Sequence, residues 1–339
     1  MSRPESKALC QPAPLDVADD TTNIATLLDT IPSDSAAALE AVAAADAAAR
    51  HWRLDEDGAA SAGSDRHKRM FSQVLRETFN PYKPAVIPWP VLDPEARQRL
   101  ISLPIWDTAV QVEGRARLRI RSYALTVQDP PVREALELMA FEEGRHKEVL
   151  SHLVAYYCIE LKPEPEYLEP KALERAFMTT GISECVDSFF AFGLFELARR
   201  SGFFPEALVE TFEPVIQEEG RHILFFTNWL AWHRRTMPWW RRPYFWLKTL
   251  SVWIVVIRER IGFARDMSAS DENDAAFTVT SAQSLSNQEV DPAELMDICL
   301  AENDRRLAGY DERLLRPMVV PRAIRLARLF IRPKRKAQA

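Results

Sequence analysis

The chain is predicted to be all-α: a four-helix bundle built from two consecutive helical hairpins, with further helices after it. Three observations predict this. The pentapeptide Glu-Glu-Gly-Arg-His occurs twice, at 142–146 and at 218–222. In each copy the Glu-x-x-His spacing sets Glu143 beside His146, and Glu219 beside His222, on one helix face, because residues three apart are helical neighbours. Helix breakers, Asp129-Pro130-Pro131 and Ser201-Gly202 with Pro205, fall where each hairpin has to turn.

Taken in order, residues 1–70 are rich in Ala, Ser, Asp and Pro and poor in large apolar residues, so most of that stretch is expected to be disordered. The alanine-rich run from Ser35 to Arg53 suits a helix but has no apolar stripe with which to dock. Residues 71–263 form the predicted helical domain, entered through a proline-bearing lead-in that wraps it. Asp93-Pro94-Glu95 reads as a helix start, Asp93 capping and Pro94 at the first helical position. One long helix is expected from there to about Gln128, kinked at Pro104, and a second over 132–161. The third is clear from Ile182 to Arg200, and the fourth runs from Pro205 to Arg235 with a kink at Pro214. A fifth, tryptophan-rich apolar helix follows over 244–263. Residues 264–290 read as a polar linker, and 291–339 as C-terminal helices, one near 292–308, ending in a basic tail.

Composition narrows the function classes. A net charge of −6 over 339 residues argues against a general nucleic-acid binder. Cys10, Cys158, Cys185 and Cys299 have no Cys-x-x-Cys spacing, which disfavours a disulfide framework or a zinc site and predicts a reducing compartment, the cytoplasm. The N-terminus has no apolar stretch and carries acidic residues, so neither a secretory signal nor a transit peptide is expected. No Ser-His-Asp order, phosphate-cradling loop or nucleotide fingerprint supports a hydrolase or a kinase.

The chemistry resides in the repeated motif. In a four-helix bundle, each half of a di-metal site takes one glutamate from one helix and a Glu-x-x-His pair from the next. Glu113 lies 30 residues before Glu143, and Glu184 lies 35 before Glu219, both at hairpin distance. The ligand set then closes at Glu113, Glu143, His146, Glu184, Glu219 and His222. Four carboxylates balance two divalent ions, and oxygen donors with a minority of imidazole suit iron or manganese better than zinc or copper. Glu142 and Glu218 compete for the ligand role, although the three-residue spacing favours Glu143 and Glu219. Asp187, one turn after Glu184, is an alternative ligand, and is expected instead to accept a hydrogen bond from a histidine ring nitrogen beyond the metals. Arg145 and Arg221 either pair with outer carboxylates or are solvated. Gly144 and Gly220, costly in a helix interior, suggest a close helix approach.

With these residues in view, the stretch from about 94 to 235 resembles the ferritin-like di-iron carboxylate superfamily. Glu184-Cys185 opening an aromatic-rich helix, followed by Glu219-x-x-His222, is most similar to the aldehyde-deformylating oxygenases. The resemblance implies a ferritin-like bundle with two iron ions, or a manganese–iron pair, held by those six residues. It also implies an oxygen-dependent oxidoreductase, fed by an electron donor such as a ferredoxin. Iron storage, peroxide scavenging or a non-catalytic metal-stabilised scaffold are the alternatives.

The residues sharing the ligand faces are largely apolar. They are Ala109, Ala116 and Ile120, then Leu136, Met139 and Leu150, then Ala191 and Phe195, and finally Phe212, Ile216, Phe226 and Trp229. Such a wall suits a small apolar substrate, and equally an ordinary packed core. Trp239, Trp240, Trp246 and Trp253 among arginines, and eight basic residues from Arg316 to Lys336 without an acidic one, have two readings. One is a helix and tail covering the bundle; the other is peripheral contact with anionic lipid at the inner face of a membrane.

Overall fold

The computed structural model describes residues 35–55, 58–80, 82–84, 87–268 and 291–331. Eleven α-helices carry its regular structure, with one 3-10 turn at Trp239–Arg241, and no strand occurs among the described residues. In chain order the helices are α1 (Ser35–His51), α2 (Asp65–Glu77), α3 (Pro94–Ile101), α4 (Trp106–Ala124), α5 (Pro130–Tyr157) and α6 (Leu173–Ser201). Then follow α7 (Glu206–Thr211), α8 (Glu213–Thr236), α9 (Arg242–Ser268), α10 (Pro292–Leu307) and α11 (Val319–Arg328).

The all-α prediction holds, and α4, α5, α6 and α8 carry the predicted ligand residues. Helix α4 packs on α5 and α6, and α6 on α8. Between α5 and α8 sits α2, capped by the Ser64 side chain and burying Met70, Phe71, Val74 and Leu75 against both. Phe71 meets Phe225 and Trp232 edge to face. Tyr123, Phe177, Phe226 and Trp229 stack in the same core, so most of the expected cavity wall is packed interior. Leu150 and Phe212 belong to a second cluster with Leu153, Tyr157 and Phe204.

Several boundaries differ from those predicted. The expected helix over 93–128 is two helices, because residues 102–105 leave the helix around Pro104. The fourth likewise divides at Phe212, so that Pro214 sits in the first turn of α8, where its missing N–H costs nothing. Helix α5 stops at Cys158, whose φ of 56° is left-handed. Helix α6 begins at Leu173 rather than Ile182, passing through Gly181, where an added Cβ would lie 2.1 Å from Phe226. Close packing, not a break, explains that glycine.

Part of the stretch expected to be disordered is structured. Residues 1–34 and 269–290 lie outside the described residues. Helix α1, however, docks through Val42 and Ala49, and Arg50 donates to the carbonyls of Arg306 and Ala308. Small alanines let it approach closely, and charged anchors complete the contact. Residues 264–268, assigned to the linker, continue α9.

Candidate metal centre

Helical geometry carries the site. On α5, Glu143 and His146 face inward with Glu142 and Arg145 beside them, and α8 repeats this with Glu219, His222, Glu218 and Arg221. All of the motif side chains except Glu219 are essentially solvent-free; Glu219 keeps 16% of its side-chain surface and Glu113 18%. Ligand-capable atoms form two groups, each within 4.8 Å: Glu113, Glu143, His146 and Glu219 in one, Glu143, Glu184 and His222 in the other. Glu143 belongs to both. His146 Nδ1 lies 3.2 Å from Glu219 and 3.7 Å from Glu113, and His222 Nδ1 lies 3.0 Å from Glu143. The two imidazoles stand 5.6 Å apart.

Glu142 and Glu218 lie on the other side of the rings. His146 Nε2 is 2.8 Å from Glu218 on the opposite hairpin, and His222 Nε2 is 2.8 Å from Glu142. An ionised carboxylate only accepts, so each Nε2 carries the proton and each Nδ1 is turned to the cluster. Arg145 donates to Glu218 and Arg221 to Glu142, at 2.8 Å in the second case. The four charges form a buried, neutral, reciprocal crosslink between α5 and α8. Residues 78, 80 and 82 close it: Arg145 donates to the carbonyls of Asn80 and Tyr82, and Arg221 to that of Thr78. The Tyr82 hydroxyl donates to Glu218 at 3.1 Å, and its ring lies 4.0 Å beneath the Arg145 guanidinium.

Asp187 corrects the expectation made for it. It pairs with Arg260 of α9 through both oxygens, and its side chain is 47% exposed. Three residues past Glu184 it stays on that side of α6, but its carboxylate is taken by the Arg260 guanidinium rather than by a histidine ring. The residues that orient the histidines are Glu142 and Glu218, which the sequence offered as competing ligands. Nothing local signals their task, since it is fulfilled across hairpins. Tyr82, Asn80 and Thr78 carried no sequence signal either. Ser188, also unforeseen, donates to Glu219 Oε2 at 3.1 Å. Gly144 is explained by Arg117, whose side chain would lie 3.1 Å from an added Cβ, whereas Gly220 has open space beside it.

Electrostatics separates the inner residues from the outer ones. Burial, then the Glu219 and Glu113 carboxylates, push Glu143 well above the usual carboxylate range, and burial with Glu143 and Glu219 does the same to Glu184. Glu142 goes the other way: against the desolvation of full burial, Arg221, His222 and Arg145 hold it down to about 2. Against the same desolvation, the nearby carboxylates of Glu113, Glu218 and Glu219 raise His146 well above its ordinary value, and Glu142 raises His222. Four inner carboxylates crowd one buried volume, and neither ligand group contains a lysine or arginine.

The donor set fits metal ions on a further ground. His146 Nδ1, His222 Nδ1, Glu143 Oε1 and both Glu184 oxygens are buried without a hydrogen-bond partner. Buried polar atoms are normally paired, so this concentration of orphans, all aimed at one another, is a cost that coordination removes. A surface cleft of about 450 Å³ between α6 and α9, lined by Leu173, Arg175, Tyr244 and Lys248, includes none of these residues.

Fold and site define an all-helical protein with a buried carboxylate and imidazole cluster suited to metal. No family model, curated protein or solved structure matches the chain.

Proposed function

We propose that the chain is an oxygen-dependent, non-haem di-iron oxidoreductase of the ferritin-like carboxylate type its sequence resembles, acting on a small, largely apolar organic substrate. The observation that carries this reading is the convergence of orphaned ligand atoms from four helices into two groups that share Glu143. Glu113, Glu143, His146 and Glu219 would hold one ion, and Glu143, Glu184 and His222 the other. Four hard carboxylates with two imidazoles suit iron, with manganese and iron together as the alternative. When bound there, iron supplies the reduction of molecular oxygen, with electrons delivered by a donor such as a ferredoxin.

The chain's own part is positional and electrostatic. Glu143, which belongs to both groups, would help to hold both ions. Glu218 and Glu142 keep each Nε2 protonated, which leaves both Nδ1 lone pairs facing the ions and makes the rings better donors. Ser188 fixes one oxygen of Glu219, so the other is presented to the cluster. The arginine crosslink cancels the outer carboxylates, leaving the four inner ones to match two divalent charges. The packed core around Ile120, Leu136, Met139 and Phe226 excludes bulk water, which favours an apolar reactant.

Anaerobic loading with ferrous iron, followed by metal analysis and oxygen uptake, tests the reading. Two irons per chain and rapid oxygen consumption are expected, with metal lost and helix content kept in Glu143→Ala and Glu219→Ala. Failure to bind iron, or two irons retained in both variants, overturns it.

A further inference from the structure

Helix α9 has two apolar faces, and the bundle uses one of them. Phe245, Val252 and Val256 are buried, and the helix packs on α6 and α8. Leu247, Leu250, Ile254 and Ile257 recur at three- or four-residue intervals, one stripe of the helix, and all four are exposed, Leu247 by 57% and Ile257 by 50%. At the N-terminal end of this stripe, Trp239 and Trp240 are exposed by 74% and 64%, with Tyr244 and Trp246 beside them. A contiguous apolar surface of this kind marks an interaction site. The fifth helix therefore covers the bundle with one face only.

Charge decides what covers the other. Arg234, Arg235, Arg241 and Arg258 are exposed on and around this element, and over 242–260 the one acidic residue is Glu259. Two copies set face to face would oppose cation to cation, a juxtaposition that disfavours self-association. An anionic surface complements them. Tryptophan and tyrosine, each an apolar ring with one polar tip, are suited to the boundary between hydrocarbon and headgroups. No helix among the described residues is long and apolar enough to cross a membrane, so α9 would lie in the interface plane. Elsewhere, Leu326 of the basic helix α11 and Leu329 and Phe330 just after it are also exposed, near Arg322 and near Arg325, which pairs with Asp304.

We propose that the exposed face of α9, with Trp239 and Trp240 at its leading end, docks peripherally on an anionic phospholipid bilayer. This docking is independent of the metal cluster, and Glu143→Ala leaves it unchanged.

Co-sedimentation of the full chain with vesicles is the test, comparing phosphatidylcholine containing about 30% phosphatidylglycerol with phosphatidylcholine alone. Binding is expected to the anionic vesicles and to fall as salt is raised. Trp239→Ala with Trp240→Ala should weaken it about tenfold or more, and so should Arg241→Glu with Arg258→Glu. Both pairs are solvent-exposed, and unchanged thermal unfolding verifies the fold. No co-sedimentation, equal binding to both vesicle types, or undiminished binding by both variants overturns the proposal. So does a stable dimer in analytical ultracentrifugation that the tryptophan variant dissociates, which assigns the face to a second copy.

Discussion

Replacing Glu218 and Glu143 separately by glutamine should change the stability of the metal-free protein in opposite directions, though both variants lose metal. Glu218 receives three donors: Arg145, His146 Nε2 at 2.8 Å and the Tyr82 hydroxyl at 3.1 Å. In Glu218→Gln one oxygen becomes an amide that donates, so at least one of those donors meets another. Arg145, 2% exposed, keeps two carbonyls and Glu142 at 3.6 Å but loses its close counter-charge. Removing one member of a buried pair costs about 3–5 kcal/mol, and the loss here should reach the lower end of that range. With His146 no longer held, iron affinity should fall about 10- to 100-fold. Glu143 is the reverse case. Its proton is bound more tightly in the fold than in the unfolded chain, so its contribution to metal-free stability declines as pH rises above the ordinary carboxylate range. Glu143→Gln abolishes that dependence and should stabilise the metal-free protein at neutral pH by about 1 kcal/mol or more. Urea unfolding of the chelator-treated chain, followed by circular dichroism, reads the stability, and competition with a chromogenic chelator reads the affinity. A Glu218→Gln protein as stable as wild type, or a Glu143→Gln protein destabilised to the same degree as it, would refute the division into inner and outer carboxylates.

Glu184→Ala removes both oxygens that α6 contributes to one ligand group, and metal analysis should show content falling from two ions towards one; an unchanged ratio contradicts the two-group arrangement. Burial depresses the pKa of His67 against its 2.9 Å hydrogen bond to Asn228, so the unfolded chain takes up the proton first as pH falls below about 6.5. Stability supplied by neutral His67 is then lost, and the gap in urea midpoint between wild type and His67→Gln should narrow from about pH 7 to pH 5. Gly193→Ala would place a Cβ 2.3 Å from Cys299 Sγ and 2.8 Å from its Cα, forcing α10 off α6. A loss of about 1–3 kcal/mol is expected in thermal or denaturant unfolding, and a wild-type midpoint would contradict the contact.

The sequence was most legible where geometry is local. Glu-x-x-His twice, each with a glutamate at hairpin distance, located all six residues that the fold gathers, because a three-residue helical spacing fixes a shared face whatever surrounds it. Element boundaries were less legible. The third helix is expected to be clear only from Ile182, yet α6 begins at Leu173 and passes through Gly181, against which Phe226 lies. Pro104 and Pro214 read as kinks, yet Pro104 falls between two separate helices and Pro214 in the first turn of a new one. Docking of α1 rests on Val42, Ala49 and Arg50, too sparse to register as a stripe.

What this sequence determines by itself is therefore the helical class, the hairpin order and the inward face of each ligand helix, all consequences of short-range periodicity. Tertiary structure alone decides which side chains complete the site. Glu142 serves a histidine 80 positions away, Arg221 finds its carbonyl at Thr78, and Asp187 pairs with Arg260. Such pairings depend on how helices distant in the chain rotate and lean on one another. The same packing buries one apolar face of α9 and leaves the other in solvent. Composition, which counts both faces alike, cannot distinguish them.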